Sequence, residues 1–360
     1  MPGRRPPSTS PLRRRLACLG TTLAACVLMA APAPGYGAAA GAGAGAINGM
    51  RSEPVVTIRR GEPGQASEAA RRAGAETIGV LYPEIGEPFR KVFSEIIDGI
   101  EEQASARVRS YPIAANQDTA ELAAALRRNG TRVVVALGRQ GLKAAAALDL
   151  PLGVVVGGVS SVPDGDKQVG ISLTPDPALL FNQLRTLMPA VHRVVVVYNP
   201  LHNDWAIKLA REAARAQGLE LVTYEARDLA AAAHLYDAFF ASADSRRDAL
   251  WLPIDPTTVD ETTILPIVLR ESWNRNVAVF SSSFLHVRKG ALFALYPNNQ
   301  ELGRDLGSLA LGLAAGEPPR RGVTPLRQVH NALNLRTASH LGIVLSNKLQ
   351  RSFDFLFPEP

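Results

Sequence analysis

Runs of consecutive valine constrain the fold of this chain more than any other feature. Residues 131–137 read TRVVVAL, residues 152–157 LGVVVG and residues 193–198 RVVVVY. A strand with one wet face alternates apolar and polar positions. A strand that is apolar throughout is covered on both faces, as in parallel sheets with helices packed above and below. Amphipathic segments stand between the runs. In 89–104 the apolar residues Phe89, Val92, Phe93, Ile96, Ile97 and Ile100 are spaced for one helical face.

The alternation occurs in two series. The first has strands at 77–82, 107–112, 131–137 and 152–157, with helices at 89–104, 120–129 (capped by Asp118 or Thr119, closed by Gly130) and 141–147. The second opens at Thr174 and Pro175. Helices are expected at 176–188, 205–217, 230–242 and 263–274, with strands at 193–198, 220–225, 249–253 and 277–281. A basic turn at Arg288, Lys289 and Gly290 then leads to an apolar run at 291–296 and a helix over 300–315. Pro318 and Pro319 stop that helix. One strand segment over 326–335 and a short helix over 337–341 follow. The predicted class is α/β, with two doubly wound, Rossmann-like lobes. A chain of 360 residues is long enough for two cores.

The net charge of +6 is unevenly placed. Residues 1–37 hold five arginines and no acid, and 38–75 add +2, which leaves −1 for everything from Glu76 onward. The folded part therefore lacks the basic excess of a nucleic-acid binder. Three arginines at 13–15 precede an apolar run at 16–31, the pattern of an export signal over 1–37 and too short for a typical spanning helix. The end of the signal has two readings. One is cleavage near Gly37 or Ala38. The other is a lipoprotein signal, in which Cys26 is acylated. Cys18 and Cys26 are the two cysteines, so the fold itself has no disulfide framework. Residues 38–75, rich in Gly, Ala, Pro and Arg, read as a disordered tether.

In open parallel sheets ligands bind beyond the carboxyl ends of the strands. That rule selects the loops at 82–87, 138–140 and 157–161 in the first series, and 199–204, 255–258 and 281–284 in the second. The candidate binding residues are Tyr82, Glu84, Gly138, Arg139, Gln140, Gly158 and Ser160, facing Asn199, Asn203, Asp255, Ser281, Ser282 and Phe284. Polar groups beside aromatic rings are the usual makeup of a small-molecule cleft. The turn at 138–141 opens a helix, where free N–H groups and Arg139 suit an anion; a plain strand-to-helix turn is the other reading. Asp255, between two prolines, suits either a ligand amine or turn capping. No histidine pair has helical metal-binding spacing, and Ser281–Ser283 lacks the flanks of a nucleophile elbow. No cofactor, metal or catalytic group is expected.

Three segments resemble a known family. Met188-Pro189 and Arg193 through Tyr198-Asn199-Pro200 form the first. Leu250, Trp251, Pro253 and Asp255 form the second. The third joins Val287, Lys289-Gly290-Ala291-Leu292, Glu301-Leu302-Gly303 and Gly316-Glu317-Pro318 to Asn334-Leu335, Thr337-Ala338 and Leu341-Gly342-Ile343. Together they resemble the periplasmic substrate-binding proteins of ABC transporters, in the subfamily that includes tryptophan- and tyrosine-binding members, over about 77–345. The resemblance implies a type I periplasmic-binding-protein fold with three crossovers. Residues 76–171 plus about 290–320 would form one lobe and 172–289 plus about 321–346 the other, with 347–360 a tail. It implies a monomer in the periplasm, lipid-anchored on the second reading of the signal, that captures a small anionic or zwitterionic molecule by hinge closure and delivers it to an ABC permease. Reporting ligand to a membrane sensor is the alternative. The chain departs from the family pattern at Gly138-Arg139-Gln140, at Ser160 through Pro163 and at Pro256, so an aromatic amino acid is not implied as its ligand.

Overall fold

The computed structural model describes residues 77–87, 89–160, 168–318 and 322–358. The expected signal, Cys26 and the tether lie outside them. The first series is β1 (Thr77–Pro83), α1 (Phe89–Ala104), β2 (Val108–Ile113), α2 (Thr119–Arg128), β3 (Thr131–Leu137), α3 (Gly138–Ala147), β4 (Gly153–Gly157) and β5 (Val169–Pro175). The second is α4 (Pro177–Leu187), β6 (Arg193–Tyr198), α5 (Pro200–Ala216), β7 (Glu220–Glu225), α6 (Leu229–Ser242), β8 (Asp248–Leu252), α7 (Ile264–Arg275) and β9 (Ala278–Ser281). Then come α8 (Phe284–Lys289), β10 (Phe293–Pro297), α9 (Asn299–Ala314), β11 (Gly322–Leu326), β12 (Val329–Asn334), α10 (Leu335–His340), α11 (Asn347–Gln350) and β13 (Phe355–Phe357).

The strands form two sheets, one of six in the order β11-β5-β4-β3-β1-β2 and one of seven in the order β13-β12-β10-β9-β8-β6-β7. All the pairings are parallel except β10 with β12. The valine runs behave as their composition predicts. In β6, Val194, Val196 and Tyr198 enter one core, and Val195 and Val197 the core on the opposite face. In β3, Val133, Val135 and Leu137 face one core and Val134 and Ala136 the other. Each such side chain contributes roughly 1.5–3 kcal/mol of burial.

Six parts differ from the sequence expectations. The loop expected over 199–204 is helical from Pro200, where α5 begins. Residues 169–175, which carried no strand expectation, form β5. The basic turn is the last turn of α8. The expected return to the first lobe at 288–292 does not occur there. Phe293 and Ala294 pair with Phe280 and Ser281, so the chain stays in the seven-stranded sheet through Pro297. The expected strand over 326–335 is two strands in different sheets, and the expected tail supplies β13, which pairs with β12.

The chain passes between sheets after β5, after β10 and after β11. Asp176 accepts a bond from Ala178 N at 2.9 Å, capping α4, and donates its own N–H to Leu326 O at 2.8 Å. Its carboxylate also meets Arg327 at 2.6 Å, and Asn298 N–H bonds Gln328 O at 3.1 Å. The three passes therefore run side by side. β5, β10 and β11 all enter them from their carboxyl ends, so the carboxyl ends of both sheets adjoin one hinge.

α9 comes after the second pass, yet it completes the first lobe against α1. A Cβ at Gly303 would stand 2.1 Å from Ile96 O, and one at Gly99 2.1 Å from Gln300 O. The two helices touch backbone to backbone. Gly303→Ala is expected to destabilise the protein by about 1–3 kcal/mol, through forced separation of these helices. Urea unfolding measures it, and an unchanged midpoint would refute the close contact.

Candidate functional site

The first-lobe rim is built on two glycine turns. Leu137 and Gly157 are register partners, so the ends of β3 and β4 lie together. Gly138 and Gly158 follow them, with φ of +69° and +67°. A Cβ on either would come within 3.1 Å of the Phe93 ring, and one on Gly158 would lie 3.2 Å from Gly138 N. The left-handed φ and the lack of room both demand glycine. Phe93 underlies both turns; in sequence it was one apolar position among six and carried no sign of this role.

α3 begins at Gly138 with no side-chain cap. Its first turn carries Arg139, exposed and without a hydrogen bond or ion pair among the described residues, and Gln140, half-buried, whose Oε1 is buried and unpaired. Tyr82 is half-buried at the end of β1. Glu84 is exposed, with its N–H on Ile113 O at 3.0 Å. Ser160 is exposed, and its carbonyl accepts from the Thr174 hydroxyl at 2.8 Å.

The second-lobe rim is organised by Asp255, 1 % exposed. Oδ2 accepts from Asn199 N at 2.6 Å and Asn203 Nδ2 at 3.0 Å; Oδ1 accepts from Thr257 N at 2.9 Å and Thr258 N at 3.1 Å. Asn199 in turn caps α5 through Leu201 N at 3.0 Å and bonds the Thr257 hydroxyl at 3.2 Å. The acceptor capacity of Asp255 is spent on the loops after β6 and β8, which favours the capping reading of Asp255 over a ligand amine. Burial and then the Asp255 charge push the neighbouring Tyr236 phenol upward.

Ser281, Ser282 and Phe284 also turn inward. The Ser281 hydroxyl donates to Leu252 O at 3.1 Å, accepts from Ser283 N at 3.0 Å and meets His286 Nδ1 at 2.7 Å. Trp251 Nε1 donates to the Ser282 hydroxyl at 3.3 Å. Phe284 packs among Tyr296, Phe355 and Phe357. It is a core residue because β13 covers it. His286 is buried, and desolvation followed by the charge of Lys289 lowers its pKa to about 4.

One rim residue escaped the sequence reading. Leu201, in the first turn of α5 beside Asn199, is 80 % exposed. Its only signal was an apolar residue between Pro200 and His202.

A model of the family described as ABC transporter substrate binding protein matches residues 77–354. Two solved structures are similar. The ligand-free, open form of a substrate binding protein with adhesive properties from Clostridium difficile is 17% identical, covers 78% of this chain and 98% of that one, and has a TM-score of 0.58. An ABC domain from Streptococcus pneumoniae in complex with L-Trp is 19% identical, covers 79% and 99%, and has a TM-score of 0.51. At these identities the likeness establishes the fold, that of type I periplasmic binding proteins. No curated protein matches the chain.

Two outcomes follow from the geometry. Asp255→Asn is expected to cost about 3 kcal/mol or more in urea unfolding, because it sets an NH2 group against donors that now meet a carboxylate. A variant of native stability that had lost ligand binding would make Asp255 a ligand partner instead. His286 is held neutral, with a folded pKa below the 6.5 of the free side chain. Its contribution is full above pH 6.5 and is lost as pH falls from there toward 4, about 3 kcal/mol in all. Wild type minus His286→Gln stability, measured from pH 7 to 4.5, should show that slope; a flat difference would refute it.

Proposed function

The chain belongs to the family of ABC transporter substrate-binding proteins, and from that premise we propose that it captures a small anionic or zwitterionic solute between its lobes and delivers it to an ABC permease. The family is one of binding proteins and not of enzymes, and its members are typically extracytoplasmic. No described helix is long and apolar enough to cross a membrane. Export through residues 1–37 and action as a monomer belong to the same proposal.

The observation that carries the ligand chemistry is the first turn of α3. It combines uncapped N–H groups, the unpartnered Arg139 guanidinium and the unpaired Oε1 of Gln140. The N–H groups and Arg139 suit a carboxylate or similar anion, and Oε1 suits a donor such as an ammonium or amide. The glycine turns beside it let a ligand approach the backbone. Across the cleft, the Asp255-bound loops offer a rigid rim, and Leu201 offers an apolar surface. Closure is a hinge motion at the three passes, with ligand shifting the open–closed population.

A thermal-shift series of amino acids and small carboxylates tests the reading. At a hundredfold excess over Kd, binding adds about 2.7 kcal/mol, which is several degrees in Tm. Arg139→Ala should weaken an acidic ligand at least ~10-fold more than its neutral amide. Equal losses would remove Arg139 from the anion site, and no stabilisation by any of these solutes would remove the anionic class.

A further inference from the structure

A second concave site lies at the other end of the seven-stranded sheet. Trp273 stands in the last turn of α7, which leads to the start of β9. Gly290 precedes β10, and Asn334 ends the antiparallel β12. They border a groove of ≈ 540 Å³ at the amino-terminal ends of β9 and β10, opposite the rim that holds Asp255 and Ser281.

Its chemistry is one-sided. Arg270, Arg288, Lys289 and Arg336 line it, with no carboxylate among the lining residues. Lys289 has a partner in Glu261 at 3.2 Å, and Arg270 meets its chain neighbour Glu271 at 3.4 Å. Arg288 has no hydrogen bond or ion pair among the described residues. Arg336 lies over the Trp273 ring, 5.6 Å from its centroid. Cations at helix C-termini are common, and that accounts for Arg288 and Lys289 on α8. It does not account for Arg336, which stands in the first turn of α10, where the helix dipole disfavours a cation.

The apolar wall is fixed in advance. Trp273 is 38 % exposed, an unusual exposure for so large an apolar side chain. His340 stacks on it with centroids 3.6 Å apart and planes 6° off parallel, while His340 Nε2 meets Trp273 O at 2.9 Å. Pro266 and Leu269 continue the wall. The polar floor is already satisfied: Asn334 bonds Val287 O at 2.9 Å and Thr337 bonds Gly290 O at 2.9 Å. A held tryptophan ringed by arginines is the composition of a binding hot spot.

We propose that this groove docks an acidic segment of a partner protein, one that inserts an apolar side chain against Trp273 and sets carboxylates on Arg288 and Arg336. Charge complementarity selects the acidic occupant. Concavity favours an inserted segment over a flat anionic bilayer. The groove lies away from the strands' carboxyl ends, so docking leaves the solute cleft free.

The test uses the folded protein and a fluorescein-labelled peptide with one leucine flanked by two glutamates on each side. Anisotropy at low salt should show saturable binding, weakened at least ~10-fold by Arg288→Glu and clearly weakened by Trp273→Ala and Arg336→Gln. Arg127→Glu with Arg128→Glu, exposed on α2 of the first lobe, should leave it unchanged. Arg288 has no ion-pair partner among the described residues to lose, so its variant should lower Tm by a few degrees at most, the cost of an anion at the helix C-terminus. Three results would overturn the proposal: no binding, equal weakening by the α2 control, or Arg288-dependent binding to phosphatidylglycerol vesicles without binding to the peptide.

Discussion

Asp176 stands where the two sheets become one molecule. Its backbone and side chain together cap α4, bond the end of β11 and meet Arg327. Without these bonds the three passes would be separate strings between two self-sufficient cores. The ion pair itself adds little, because Arg327 is mostly exposed and water screens it. The backbone bond and the cap do more, since they fix the direction in which α4 leaves β5. Among the described residues, the bonds of Asp176 and the bond from Asn298 to Gln328 hold the passes close together. The proposed closure would bend the chain at this joint.

The two rims of the cleft divide the work unequally. On the second lobe, Asp255, Asn199, Asn203, Ser281 and Ser282 satisfy one another or nearby backbone. Loops held in this way lose little freedom when a ligand arrives. On the first lobe, Arg139 and the Gln140 carbonyl oxygen have no partner, and α3 has no cap. In the proposed function this difference would give recognition to the first lobe and shape to the second.

The doubly wound class was legible because β3 from Val133 to Leu137 and β6 from Val194 to Tyr198 are apolar without interruption, and burial on both faces explains that. Other elements were hidden for physical reasons. β5 reads VGISLTP, a mixture that does not stand out from a loop. α8 is six residues long, too short for a helical period to show. β10 was legible as a strand but not as a member of its sheet, because an apolar run carries no record of its neighbours. Its pairing with β9 and β12 is a long-range fact, and so is the burial of Phe284 beneath β13. The family resemblance implied the three passes but misplaced the second.

The sequence selected the loops of the candidate site by position and left their roles open. The carboxyl-end rule cannot distinguish a polar side chain that meets a ligand from one that holds the loop. Both need Asn, Asp and Ser, both lie next to buried strands, and both follow the strand end within a few residues. The difference is whether the hydrogen-bonding capacity is already spent. Asp255 spends its capacity on four protein donors, whereas Gln140 keeps a buried oxygen unmet. An unmet buried acceptor costs about 1–3 kcal/mol unless something outside the chain satisfies it. On the proposed function that cost, and not residue type, would separate the two roles, and it becomes visible only when both sides of each bond are in place.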